Sequence, residues 1–236
     1  MYIKNLLHKA LLFLVTAVFF SGCGTHINQF ARFNLKNKSF FLKQYVSPDL
    51  TRVNVDIAGY YHDDNLISVI LTQAGVIITE NSVREKLQKS VNPDSLALAI
   101  SEGISEGLKT YFYAEIAEDL DDNPQYIAET RLERFRITSN TSGIYAMIDT
   151  RVIITERGTA KAVWENTECS EVPIGDVIYD FTCNRYIRTT KGVINAVRLM
   201  QMSEDEIRAA VNIAAGESGK RQCDRLREDI SGEGED

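Results

Sequence analysis

The chain has 236 residues, of which 44% are hydrophobic and 25% are charged, so its composition is that of a globular protein and excludes wholesale disorder. Its formal net charge of −7 makes it a poor candidate for binding the phosphate backbone of a nucleic acid. Its length fits one large domain or a domain with an appendage.

The first residues have the pattern of a secretory signal. Lys4 and Lys9 give a positively charged start, and an apolar run over residues 10–20 follows. The run fits the core of a signal peptide but is too short to span a bilayer as a helix. We therefore expect residues 1–22 to be a signal peptide that is removed.

The signal ends in the sequence Phe-Ser-Gly-Cys at residues 20–23. This sequence resembles the bacterial lipobox, in which small residues precede a cysteine that receives diacylglycerol. The resemblance implies cleavage between Gly22 and Cys23, with a covalent diacylglycerol and an acyl chain on Cys23 and no other cofactor. The alternative is an ordinary signal peptide that happens to be followed by a cysteine.

The lipobox resemblance also implies where the protein resides. A lipidated Cys23 would hold it on the membrane, outside the cytoplasm. Gly24 and Thr25 lack the aspartate that retains lipoproteins in the inner membrane. By resemblance to other lipoproteins, we expect sorting to the outer membrane, facing the periplasm, where the host has one.

Residues 23–48 are predicted to be a membrane-proximal segment. Residues 24–48 carry five aromatic side chains and four Lys or Arg residues, with no acid. The cations can rest on anionic headgroups, and the aromatics can occupy the interface. The alternative is that residues 40–46 are the first strand of the fold, with their aromatics in the core.

Residues 49–188 are predicted to be an α+β or α/β sandwich domain. Residues 53–58 alternate between apolar and polar side chains and predict a strand, and residues 66–79 predict another. Ser82 and Glu85 form a capping box, which indicates a short helix that ends near Lys89.

The turn between those two strands contains Tyr60, Tyr61 and His62. Two aromatic side chains in a turn can anchor a partner protein, so these three residues are candidate docking residues. The alternative is a turn whose aromatic side chains are partly buried in the domain itself.

The best helix signal covers residues 93–112. Asn92 is a preferred capping residue, and Pro93 suits the first helical position. Apolar residues at helical spacing predict that one face packs against the rest of the domain. These residues are Leu96, Ile100, Ile104, Leu108 and Tyr111.

Residues 126–165 predict a β-meander, and the sheet is expected to be mostly antiparallel. Its strands cover residues 126–138, 143–156 and 159–165. A change of apolar parity predicts a bulge near Glu133. The middle strand places its even-numbered side chains on one apolar face. These are Ile144, Ala146, Ile148, Thr150, Val152 and Ile154.

The C-terminal region is predicted to be helical over residues 189–230. Ser203 and Glu206 form a second capping box, and an apolar stripe follows them. Residues 231–236 are expected to form a flexible tail.

Three cysteines remain after lipidation, and an oxidising periplasm favours a disulfide between two of them. Cys169 with Cys183 would close a short loop, which makes this the favoured pair, and Cys183 with Cys223 is the alternative. No Cys-x-x-Cys pair occurs, so zinc and thioredoxin-type chemistry have no support.

The segment 103–107 matches the Gly-x-Ser-x-Gly pattern of α/β-hydrolases. A nucleophile elbow needs a strand before its serine, whereas Ser105 lies inside a predicted helix. The hydrolase order also needs a histidine after the nucleophile, and the last histidine is His62. We therefore expect packing glycines and no catalytic residues. His62, Asp63 and Asp64 are adjacent in a turn and would rarely aim three ligands at one point, so no metal site is expected.

One family resemblance covers roughly residues 53–165, and the run from residue 126 to residue 165 carries it. This run contains Tyr-Ile-Ala-Glu at 126–129, Leu-Glu-Arg-Phe at 132–135 and Val-Trp-Glu at 163–165. With the lipobox and the long helix, it resembles the small α/β domain of auxiliary lipoproteins of ABC-type lipid transport systems. More distantly it resembles lipoprotein activators of peptidoglycan synthases and the curli-secretion lipoprotein. The resemblance implies a non-catalytic subunit.

The expected function is that of a lipid-anchored accessory or assembly subunit of a bacterial envelope complex for transport or cell-wall synthesis. Its expected partners are the membrane, through the anchor, and an envelope protein; its oligomeric state is left open. The alternative is a periplasmic lipoprotein that binds a lipid or small ligand, which requires an apolar pocket between the long helix and the sheet.

Overall fold

The computed structural model describes residues 27–29, 33–50, 54–57, 80–139, 143–174 and 201–232. The helices are α1 (Glu80–Ser90), α2 (Pro93–Phe112) and α3 (Glu204–Ser231). The strands are β1 (Ile27–Asn28), β2 (Ser39–Val46), β3 (Asn54–Ile57), β4 (Glu115–Ala117), β5 (Tyr126–Ser139), β6 (Ile144–Glu156) and β7 (Lys161–Pro173).

The strands form one mixed sheet in the order β1-β7-β6-β5-β2-β4, and β3 also pairs with β5. The predicted meander is confirmed, because β5, β6 and β7 pair in antiparallel fashion. Strands β2 and β3 run parallel to β5, and β4 runs parallel to β2. The α+β fold is therefore as expected, whereas the parallel pairs were not predicted from the sequence.

The predicted bulge lies in β5, where the pairing with β6 shifts between Leu132 and Arg134. The extra residue reverses which alternate side chains face the helices. Leu132 lies on the covered side before the bulge, and Phe135 and Ile137 are buried on the same side after it. Arg134 is exposed on the opposite side.

Two strands differ in extent or role from the first expectation. Residues 39–46 form β2, as the alternative reading held, and Phe40 is fully buried and stacks on Tyr126 with ring centroids 5.2 Å apart. The prediction that the third meander strand ends at residue 165 is wrong, since β7 continues to Pro173. Strand β6 offers a partner along that whole length, for example Ile148 opposite Ser170.

Helix α2 begins as its sequence predicts. The Asn92 side chain accepts a hydrogen bond from the backbone N–H of Asp94 at 2.9 Å. The helix ends at Tyr113, whose left-handed backbone (φ 54°) lets its N–H bond to the carbonyl of Leu108. The apolar face that contains Leu96 and Ile100 is buried in the core.

Helix α3 has the predicted capping box. The Ser203 hydroxyl accepts from the N–H of Glu206 at 3.1 Å, and the Glu206 carboxylate accepts from the N–H of Ser203 at 2.6 Å. Ile207 and Val211 of the predicted stripe are buried in the same core as the sheet. Within the part of the chain that is described, no helix is both long and apolar enough to cross a membrane.

Candidate functional site

The Gly-x-Ser-x-Gly segment of α2 lies against α3. A Cβ atom on Gly103 would lie 2.1 Å from the carbonyl oxygen of Gly216, and one on Gly107 would lie 2.4 Å from the Cβ of Cys223. A Cβ on Gly219 would lie 2.2 Å from the carbonyl oxygen of Ile100. The glycines are therefore needed because the two helices touch, which confirms the packing interpretation of this motif.

Ser105 lies inside α2 and is half-buried. It therefore lacks the strand-to-helix turn that raises a nucleophilic serine above a sheet. All three histidines of the chain lie outside the described residues.

The two described cysteines are not bonded to each other. Cys223 is buried between α2 and α3, and its thiol donates to the carbonyl of Ile104 at 3.4 Å. Burial raises the pKa of the Cys223 thiol to about 12. Cys169 is exposed on β7. Because Cys183 lies outside the described residues, both proposed disulfides stay predictions.

The acidic turn after β4 uses its carboxylates to cap its own backbone. The Asp119 side chain accepts from the N–H of Asp121 at 3.2 Å. The Asp122 side chain accepts from the N–H groups of Glu118 and Asp119 at 3.1 and 3.0 Å. Across the described segments, no group of three His, Cys, Asp or Glu side chains is placed to hold a metal ion.

The helices in the described part of the chain pack on one face of the sheet. Strand β6 shows the contrast. From Ile144 to Ile154 its even-numbered side chains are at most 4% exposed, whereas its odd-numbered side chains are half-buried. We call the second side the open face. Its side chains include Lys43, Tyr45, Glu129, Arg131, Arg134, Arg136, Met147, Asp149, Arg151 and Cys169.

Four arginines cross the open face, and each has a neighbour that holds it. Arg134 pairs with Asp149 and Arg131 pairs with Glu129, both with N–O distances of 2.5 Å. Arg151 forms an ion pair with Glu165 of β7. The fourth, Arg136, donates to the sulfur of Met147 at 3.1 Å. The guanidinium groups are thus ordered in advance of any contact with a partner.

Tyr45 lies at the β2 side of this arginine row. The Lys43 ammonium is 4.7 Å from the centroid of its ring, and the Arg131 guanidinium carbon is 5.7 Å from it. These distances are within the range of cation–π attraction. An aromatic ring between two cations gives the open face both an apolar and a charged component.

Asp149 controls the ionisation of the cysteine on this face. The Cys169 thiol donates a hydrogen bond to the Asp149 carboxylate, and this bond, together with burial and the carboxylate charge, raises the pKa of Cys169 to about 11. The nucleophilic form of a cysteine is the thiolate. The site therefore holds this thiol in its protonated, unreactive form at neutral pH.

The alternative function requires an apolar pocket between the long helix and the sheet, and the described side chains of α2 that would line it are buried. Leu96, Ile100, Ile104 and Leu108 of α2 are at most 2% exposed where they face the sheet. One surface groove of about 470 Å³ lies between α2 and α3 and is lined in part by the exposed Leu98 and Ile213.

The predicted docking and lipidation residues lie outside the described residues, as does one cysteine. These are Gly22, Cys23, Tyr60, Tyr61, His62 and Cys183. The open face was not predicted from the sequence. The available signal was the parity change in β5, which turns Arg134 and Arg136 away from the core.

No protein-family model matches the chain, and no curated protein matches it. The fold is similar to that of a DUF330 protein from Xanthomonas campestris, with 10% identity and a TM-score of 0.40 over 89% of this chain and 94% of that chain. It is also similar to PelC of Paraburkholderia phytofirmans. One PelC dodecamer has 9% identity and a TM-score of 0.32, over 75% of this chain and 92% of that chain. A variant PelC dodecamer has 10% identity and a TM-score of 0.33, over 63% and 77%.

Proposed function

We propose that this chain is a lipid-anchored, non-catalytic accessory or assembly subunit of a bacterial envelope complex, and that the open face is its docking surface. The observation that carries the docking role is the row of ordered arginines beside Tyr45 on the open face. The resemblance of residues 20–23 to a lipobox supports the anchor.

The composition of the open face favours protein binding. Arginine, tyrosine and methionine are enriched in protein interfaces compared with the rest of a protein surface. Because neighbouring side chains hold the arginines, binding would cost less side-chain entropy than it would for mobile lysines. The ion pair of Arg134 adds little stability, since the arginine side chain is 82% exposed and exposed pairs contribute about 0–1 kcal/mol.

The chemistry of the described nucleophiles supports a non-catalytic role. Ser105 is part of a helix that needs its flanking glycines for packing. The thiols of Cys169 and Cys223 have pKa values raised to about 11 and about 12. At neutral pH these thiols are protonated, the opposite of what a catalytic cysteine requires.

Photo-crosslinking in cells tests the docking surface. A photoreactive residue replaces Arg136 or Tyr45 on the open face, and the matched control replaces the exposed Lys109 on α2. We expect one discrete ultraviolet-dependent adduct from both open-face positions and none from position 109. Adding Arg134→Glu should remove the adduct from position 136. Adducts at position 109 with none at the open face would contradict the proposal.

A second arm tests the anchor. Cys23→Ser removes the thiol that would carry diacylglycerol, so we expect an unprocessed precursor or a soluble periplasmic form. The measurement is membrane fractionation with acyl-chain labelling of wild type and variant. A variant that is processed and membrane-bound like the wild type would show that Cys23 is not the anchor.

A further inference from the structure

We propose that the β1–β7 edge of the sheet is the side of the domain that faces lipid headgroups, so that the open face stands upright from the membrane. This inference rests on the proposed anchor at Cys23 and adds an orientation to it. The partner would then approach the open face from the side, close to the bilayer surface.

The connection from the proposed anchor to the fold is short. Four peptide units separate Cys23 from Ile27, the first residue of β1. At 3.3–3.6 Å per residue, four residues span at most about 14 Å. A lipid on Cys23 would therefore hold β1 within roughly that distance of the headgroups.

Strand β1 is held to the rest of the domain by hydrogen bonds. It pairs with β7, with Ile27 opposite Glu165 and Asn28 opposite Trp164. The Asn28 side chain also donates to the backbone carbonyl of Asp229 in α3 at 3.3 Å. A restraint on β1 is therefore a restraint on the β7 edge and on the end of α3.

The sheet is wider than the tether is long. Strand β4 lies at the opposite edge, five strand positions from β1. At about 4.8 Å per position this separation is about 24 Å, which exceeds the reach of the tether. The tether therefore holds only the β1 edge near the membrane. The position of the β4 edge relative to the membrane then depends on its charge.

Charge directs the β4 edge away from an anionic leaflet. Strand β4 and the turn that follows it expose five acids, which such a surface repels. These are Glu115, Glu118, Asp119, Asp121 and Asp122. Beside β1, by contrast, two acids among the described residues have arginine partners. Glu165 is paired with Arg151 and Asp229 with Arg225.

The chain contains its own reporter for this orientation. Trp164 is the single tryptophan, and it lies directly opposite Asn28 of β1. Energy transfer from this indole to a dansyl-labelled headgroup falls with the sixth power of distance. The experiment uses the acylated full-length protein in vesicles of phosphatidylethanolamine and phosphatidylglycerol that contain the dansyl lipid.

The matched variant moves the reporter to the opposite edge. It combines Trp164→Phe with Glu118→Trp, which places the indole in the exposed turn after β4. We expect severalfold more efficient transfer from Trp164 in the wild type than from position 118 in the variant. Equal transfer, or more efficient transfer from position 118, would overturn the orientation.

A second variant retains Trp164, so this test does not require the variant that lacks Trp164 to fold. It inserts about 20 Gly/Ser residues between Gly24 and Thr25, which lengthens the tether by a root-mean-square distance of about 25 Å. Transfer from Trp164 should fall while the protein stays bound to vesicles. Unchanged transfer would overturn the orientation alone, whereas a wild-type protein that does not bind vesicles would overturn the anchor and the orientation together.

Discussion

The two faces of the sheet differ although the same strands build both. On β6, Ile148 is fully buried against the helices, whereas its neighbours Met147 and Asp149 are half-buried on the open face. The covered face is apolar and excludes water, so it supplies the stability of the fold. The exposed ion pairs of the open face, such as that between Arg134 and Asp149, lie near water and contribute little stability. The side chains of the open face can therefore be selected for binding without a large loss of stability.

The sharpest test of this contrast substitutes adjacent residues of β6. Ile148→Asp places a carboxylate with no partner in the apolar face and should lower the free energy of unfolding by several kcal/mol, or raise the pKa of the new carboxyl. Met147→Asp places the same group on the open face near Arg136 and should change stability by less than about 1 kcal/mol. Denaturant unfolding measures the free energy of unfolding of both variants. If both lost the same amount of stability, the two faces would be alike.

The contact between α2 and α3 gives the next largest effect. Gly103→Ala forces a Cβ atom against the backbone of Gly216 and should destabilise by about 1–3 kcal/mol. Gly216→Ala is the matched control, because its Cβ would lie 3.6 Å from the nearest atom. There the helix propensity of alanine should stabilise by up to about 1 kcal/mol. Thermal unfolding measures the stability of both variants. If both substitutions stabilised the protein, or both destabilised it, the result would contradict the close contact between the helices.

The open face also makes a prediction about reactivity. Asp149→Asn removes the carboxylate that raises the pKa of the Cys169 thiol to about 11. The pKa should fall, and in reduced protein the rate of Cys169 alkylation at pH 8 should rise roughly tenfold or more, since the rate follows the thiolate fraction. Mass spectrometry of the Cys169 peptide measures the rate. The buried Cys223 is the internal control and should stay slow in both proteins.

The smallest effect is expected at Ser105. Ser105→Ala should change the free energy of unfolding by no more than about 0.5 kcal/mol, because the serine lies within a helix where alanine is favoured. The variant should also keep the crosslinked adduct of the open face. Loss of function in a variant that stays folded and membrane-attached would reopen a catalytic role.

The elements that the sequence predicted well are those determined by neighbouring residues. The caps at Asn92 and Ser203 are hydrogen bonds to groups only two or three residues away, so the starts of α2 and α3 were predictable. The period-two pattern of residues 144–154 likewise identified the covered face of β6. Pattern and capping act locally, and the structure agrees with them.

What the sequence did not predict depends on distant contacts. Strand β2 pairs with β5 across about 80 residues of chain, and alternation within β2 does not name that partner. The bulge after Leu132 was predicted, but the neighbours of Arg131 and Arg134 on the open face depend on the pairing of β5 with β2 and β6, which local sequence does not specify. The contact of Gly107 with Cys223 joins two helices that are separated in sequence by four of the described strands.

The most direct test of the central claim is chemical footprinting of arginine in the natural membrane. Phenylglyoxal is applied to intact envelopes and to the same protein purified in detergent, and modification is measured residue by residue. If the open face is a docking surface, Arg131, Arg134 and Arg136 should be protected in envelopes and modified after purification. Arg227, which is exposed on α3, should react equally in both. Equal modification of all four arginines in the two preparations would contradict the account.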